Sequence, residues 1–175
     1  MSISRVQGSA DFPADFILIA ALNPYRGSED GTVDLARAMS ETYKNKVSGP
    51  ILDRIDLWIE VPHVPYETLT ALPSKTDETS PAREQILSAR EVQAKRLTHA
   101  TTSTNSGMSA RDIEETISLT DEVKDLLKTS SEKLNLSPRS YHRLVKVART
   151  IADLDKKKDI GTAHVLEALQ YRVTI

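Results

Sequence analysis

The chain has 175 residues and a mass of 19.4 kDa, enough for one domain or for one domain with a smaller companion. Hydrophobic residues make up 39% and aromatic residues only 5%, so a core forms mainly from aliphatic side chains, and extended disorder is disfavoured. With 23 Lys and Arg against 25 Asp and Glu the net charge is −2, so any nucleic-acid contact has to be local. The lack of cysteine excludes disulfides, thiolate metal sites and cysteine nucleophiles.

Taken in chain order, residues 3–7 and 10–12 flank Gly8-Ser9 and predict a hairpin. Residues 16–22 are continuously apolar and stop at Asn23-Pro24, the pattern of a parallel-sheet strand buried on both faces. Leu35, Met39 and Tyr43 recur every four residues and predict an amphipathic helix over 34–46. Residues 57–61 form a second strand-like segment, closed by Pro62, and the Pro-, Ser- and Thr-rich stretch to residue 79 reads as a connector.

The remainder is helical in texture. Ser80 as N-cap and Pro81 at the first helical position start a helix running to about residue 97. Residues 98–107 are polar and predicted to be structureless. Ser109 and Asp112 are spaced as a capping box for a short helix ending at 117. Thr120 caps the next helix, with Asp121 and Glu122 in its first turn and Val123, Leu126, Leu127 and Leu134 as its buried stripe. Ser137-Pro138 opens the most regular helix, whose Tyr141, Leu144, Val145, Ala148, Ile151 and Ala152 share one face. Gly161-Thr162 opens the last, with Leu166, Leu169 and Val173 predicted inward. The resulting fold class is an α/β remnant with two parallel-type strands and one or two helices, followed by a bundle of four to five helices. No run approaches the ~20 apolar residues of a membrane span, and the N-terminus lacks a basic region followed by an apolar one. The expectation is a soluble cytoplasmic protein.

Phosphate-loop patterns (GxxxxGK[ST], GxGxxG) and the HExxH metal motif are absent from these residues, and His63, His99, His142 and His164 have no metal-ligand spacing, reading instead as surface or core-edge histidines. Three constellations remain. Asn23 ends the apolar strand, where α/β sheets gather ligands; it is either a turn residue or an amide that orients water or touches phosphate. Arg54 stands between Asp53 and Asp56 in a turn after Ser48-Gly49-Pro50, as a local ion pair or as a guanidinium held out to an anion. Arg139, Arg143, Lys146 and Arg149 recur at three- and four-residue spacings beside an apolar face. With Lys156, Lys157 and Lys158 they outnumber Asp153 and Asp155, giving either a solvated basic face or a phosphate or nucleic-acid contact.

In order along the chain, Ser4-Arg5-x-x-Gly8, Phe12-Pro13-Ala14-x-Phe16, Ala20-Ala21-x-Asn23-Pro24, the block from Ser48 through Leu57, the block from Ala148 through Leu154, and His164 with Glu167-Ala168-Leu169-Gln170-Tyr171-Arg172 together resemble the magnesium-chelatase-like AAA+ ATPases of the ComM/YifB group. The resemblance covers nearly the whole chain. It implies residues 1–62 as the C-terminal part of a AAA+ core, 63–79 as linker and 80–175 as a helical lid of the magnesium chelatase C-terminal type. It further implies Asn23 as sensor 1, Arg54 as an arginine finger acting in trans, Arg139 as sensor 2 and Arg143 as a weaker nucleotide contact. ATP and Mg²⁺ are then cofactors of a full-length parent that assembles with neighbouring subunits into a ring, expected to be a hexamer, and acts on DNA. A metal-insertion ATPase subunit and a non-catalytic helical interaction module are the alternatives. The resemblance places the Walker A and Walker B segments upstream, so this stretch alone is expected to need no cofactor and to turn over no ATP. Where the group usually carries Cys-Pro-Cys-Gly after the Asn-Pro pair, this chain has Tyr25-Arg26-Gly27 following Pro24, which removes any cysteine metal role.

Overall fold

The computed structural model describes residues 2–5, 8–11, 16–21, 54–62, 64, 66, 77, 79–100 and 102–172. Strands β1 (Ser2–Arg5) and β2 (Gly8–Asp11) pair antiparallel with Arg5 opposite Gly8, so the hairpin exists but Gly8 and Ser9 belong to its second strand rather than to its turn. The 16–22 expectation is not met across residues 16–21, which carry no ladder; Phe16 is 75% and Ile19 89% exposed. An apolar run becomes a buried strand only when neighbours pair with its backbone and layers cover both faces, and among the described residues no element does so. Residues 57–61 likewise pair in no sheet, and Leu57, Ile59 and Val61 are exposed. The helix predicted over 34–46 lies outside the described residues.

Five helices follow: α1 (Thr79–Arg96), α2 (Ala110–Thr116), α3 (Asp121–Lys133), α4 (Pro138–Leu154) and α5 (Thr162–Gln170). Local chemistry sets their starts. The Asp77 carboxylate, rather than Ser80, accepts from the Thr79 and Ser80 N–H groups at 3.0 and 3.2 Å. Hydrogen bonding from Ser80 accordingly holds its pKa below the ordinary value. Ser109 and Asp112 close the capping box, with the Ser109 N–H donating to Asp112 at 2.7 Å and the Asp112 N–H to Ser109 Oγ at 3.2 Å. The Thr120 hydroxyl accepts from the Val123 N–H, and Ser137 Oγ accepts from the Ser140 N–H at 3.1 Å, just before Pro138 at the first helical position. At the start of α5, glycine has no side chain to cap with; the Gly161 N–H donates instead to His164 Nδ1 at 2.8 Å.

Helix α4 is central: it packs against α1, α2 and α5, while α3 packs against α5. The stripe Leu144, Val145, Ala148, Ile151 and Ala152 is buried, with Tyr141 packed at its edge. Each fully buried Leu or Val contributes roughly 1.5–3 kcal/mol relative to exposure. Val123 and Leu127 of α3 join this core together with Val165 and Ala168 of α5. Two predicted stripe members do not. Leu134 lies beyond the end of α3 at 36% exposure. Leu166 is 51% exposed because α5 turns Val165 and Ala168 inward. Both α3 and α4 end with a left-handed residue, Asn135 (φ 46°) and Lys156 (φ 56°). The Leu136 N–H then reaches the Ser131 carbonyl and the Lys157 N–H the Ala152 carbonyl, satisfying last-turn acceptors.

The stretch predicted to be structureless contains regular structure at its end. Residues Asn105–Gly107 form a 3₁₀ turn, Asn105 is buried, and a Cβ at Gly107 would collide with the Thr102 hydroxyl. Asn105 belongs to a buried polar network that joins α1 to α4. The Asp153 carboxylate accepts from Arg96 at 2.8 and 2.7 Å, from Asn105 Nδ2 at 2.9 Å and from Arg149 Nε at 3.1 Å. Arg149 also donates to the carbonyls of Lys158 and Lys157, at 2.8 and 2.6 Å, and so holds the left-handed turn after α4. Burial raises the Asp153 pKa, but the hydrogen bonds from Arg96 and Asn105 and the Arg149 charge outweigh it and leave the carboxyl below its ordinary 3.8.

Candidate anion-binding cleft

Because α4 turns 3.6 residues at a time, Arg139, Arg143, Lys146 and Thr150 rise along one side of it, next to the apolar stripe. They form one wall of a cleft of about 850 Å³. Met108, Val147, Ile151 and Leu154 supply its apolar lining, and Asp56, Leu57, Glu167 and Tyr171 close the other side. Asp56 and Trp58 are each held there by a contact. Arg143 Nε lies 3.3 Å from Asp56 Oδ1, and the Trp58 N–H donates to the Tyr171 carbonyl at 2.9 Å. Tyr171 in turn donates its hydroxyl to Glu167 at 3.3 Å.

The electrostatics of the wall favour an anion. Burial lowers the Lys146 pKa; Asp56 opposes this, and the positive charges of Arg143 and Arg139 add to it. Its ammonium donates to the Ser106 carbonyl at 3.0 Å. Three cations brought close on one face, Arg139 exposed and Arg143 and Lys146 half-buried, repel one another, and a phosphoryl group placed among them relieves that repulsion. Thus the donor set suits phosphate oxygens. Among the described residues no three His, Cys, Asp or Glu side chains converge as a metal site.

Arg139 and Arg143 are brought together in this cleft. Arg54 sits at an exposed turn outside its lining, two residues before Asp56. Asn23 lies outside the described residues. Arg149, grouped by spacing with the basic face, is corrected: it is 3% exposed and bound to Asp153 and two carbonyls, so it is a core residue. His164 is a core-edge histidine as expected, buried and serving as the α5 cap, with Nε2 3.3 Å from Asp155. Spacing missed Lys146 as a member distinct from Arg149, and missed Glu167 and Tyr171 altogether. Asp56, which the sequence places beside Arg54, reaches across to Arg143. A signal for α4 existed in the i, i+4, i+7 spacing of Arg139, Arg143 and Lys146, which excludes Arg149 from the same line.

Among the described residues no helix is long and apolar enough to cross a membrane. The family model described as "Magnesium chelatase, subunit ChlI C-terminal" matches residues 76–172, and that described as "Magnesium chelatase, subunit ChlI" matches residues 1–69. Competence protein ComM of Haemophilus influenzae is 38% identical over 99% of this chain and 34% of its own length. YifB of Escherichia coli is 33% identical over 97% of this chain and 33% of its own, and Rv2897c of Mycobacterium tuberculosis is 30% identical over 98% and 34%. The chain therefore spans about a third of the length of these relatives. The two adjacent matches, the second running through the helices that build the cleft, show that this chain belongs to the magnesium chelatase ChlI family, in which ComM and YifB are its relatives.

Proposed function

We propose that this chain is the sensor-and-lid portion of a ring-forming AAA+ ATPase that acts on DNA. In this reading residues 1–62 end the ATP-binding core, 63–79 link it to the lid, and 80–175 form the lid. Asn23 orients the attacking water, Arg54 meets the nucleotide of a neighbouring subunit, and Arg139 with Arg143 contacts phosphate oxygens from the lid. The observation that carries it is the convergence of Arg139, Arg143 and Lys146 on one cleft beside the turn that bears Arg54. Phosphoryl transfer asks little covalent chemistry of a protein; it asks for positioning and for positive charge at the phosphoryl oxygens, and arginines supply both. ATP with Mg²⁺ supplies the transferable phosphoryl group and its counter-charge in the assembled protein. DNA as the substrate rests on the resemblance to the ComM/YifB group, of which the Haemophilus relative is named a competence protein.

The test uses the assembled protein that contains both this stretch and a phosphate loop. Arg54→Ala is expected to lower ATP turnover by about 10³ while nucleotide affinity changes by no more than a few-fold, because an arginine in trans acts on transition-state charge. Arg139→Ala is expected to weaken nucleotide binding as well. Turnover surviving Arg54→Ala within a few-fold overturns the assignment, and turnover indifferent to added DNA overturns the substrate.

A further inference from the structure

Asp56 is an anion already present beside the cation cluster, paired with Arg143. Its carboxylate is 3.3 Å from Arg143 Nε, lines the same cleft as Arg139 and Lys146, and counters the depression of the Lys146 pKa by burial. The Asp56 side chain is 55% exposed while that of Arg143 is 17% exposed, so the cation is fixed in the lid and the carboxylate is the partner free to leave. Leaving would not be local. Two residues before Asp56 is Arg54, and two residues after it is Trp58, whose N–H is held by the Tyr171 carbonyl.

We infer that Asp56 and a phosphoryl group compete for the Arg139–Arg143–Lys146 cluster, so that phosphate entering the cleft releases the turn that carries Arg54 from the lid. Asp56 is on this account a positioning residue. It holds the turn while the cleft lacks phosphate and gives it up when a stronger anion arrives. A phosphate chain carries several negative charges against the single charge of a carboxylate and presents oxygens in several directions, so it satisfies three cations that one carboxylate cannot all reach. The pair it must break is a half-exposed one, weak enough to be exchanged rather than locked. The exchange makes the contents of a subunit's own cleft set the freedom of an arginine aimed elsewhere. That last consequence rests on the proposed role of Arg54, whereas the competition itself does not.

The chain contains a single tryptophan, and it is Trp58, so its emission reports directly on the docked segment. The experiment titrates the 175-residue chain with inorganic tripolyphosphate, following binding by calorimetry and docking by Trp58 fluorescence. Wild type is expected to bind with a change in Trp58 emission. Asp56→Asn is expected to bind about fivefold more tightly, the scale of losing one half-exposed competing pair, and to show the released emission before any phosphate is added. Arg143→Gln is expected to show the released emission and weakened binding. Glu115→Ala, in an exposed pair with Arg111 outside the cleft lining, is expected to leave both titrations unchanged, and because neither titration reads turnover their outcome is separate from that of the arginine-finger test. Equal or weaker binding by Asp56→Asn, binding without a change in Trp58 emission, or no binding by either protein overturns the inference.

Discussion

Removing the Asp153 carboxylate should be the most damaging single change in the helical part of the chain. The Asp153 side chain is fully buried and is the shared acceptor for Arg96, Arg149 and Asn105. In Asp153→Ala two guanidiniums lose their counter-ion. Arg149, 3% exposed, has no route to water, while Arg96, at 17% side-chain exposure, is partly screened. Deleting one partner of a buried pair costs about 3–5 kcal/mol; the partial exposure of Arg96 argues for the lower part of that range. Arg96 Nε is already a buried nitrogen without a hydrogen-bond partner, so little slack remains for the network to rearrange. For a unit of this size each kcal/mol moves the melting temperature by roughly 4–8 °C, giving an expected fall of roughly 15–25 °C. Thermal and urea unfolding followed by far-UV circular dichroism measures it. Asp153→Asn, which keeps the shape and one acceptor, should fall between wild type and alanine. Glu115→Ala, which removes an exposed partner of Arg111, should leave the melt unchanged. A fall of less than about 5 °C for Asp153→Ala, or one no larger than for Glu115→Ala, would refute the assignment of the network as the joint between α1 and α4.

The same carboxylate predicts acid sensitivity. Its folded pKa lies below its ordinary 3.8, so its contribution is full above the unfolded value and is lost as pH falls through the folded one; helicity monitored from about pH 5 downward should drop more steeply in wild type than in Asp153→Asn. Ser137→Ala removes the acceptor of the Ser140 N–H at the start of α4 and should cost about 1 kcal/mol, read as a lowered urea midpoint with an unchanged slope.

Much of the helical part was legible before any tertiary structure, because its determinants are local. Ser109 with Asp112, Thr120, and Ser137 with Pro138 cap helices through groups three residues away, so sequence spacing contains the whole interaction. The buried face of α4 was legible for the same reason: seventeen residues give the 3.6 period several turns in which to declare itself. Helix α5 has nine residues and apolar side chains on several sides, so its phase was set by packing against α3 and α4, which selected Val165 and Ala168 over Leu166. Asn105, in a polar stretch, gave no local sign of burial, since its partners come from α1 and α4. Arg143 and Arg149 show the division most plainly. They are the same residue type on the same helix, yet one faces a cleft and the other is buried. What separates them is an Asp153 carboxylate, two loop carbonyls and an Asp56 carried by a distant turn, and the energy of burying a guanidinium depends on whether such partners arrive from elsewhere in the chain.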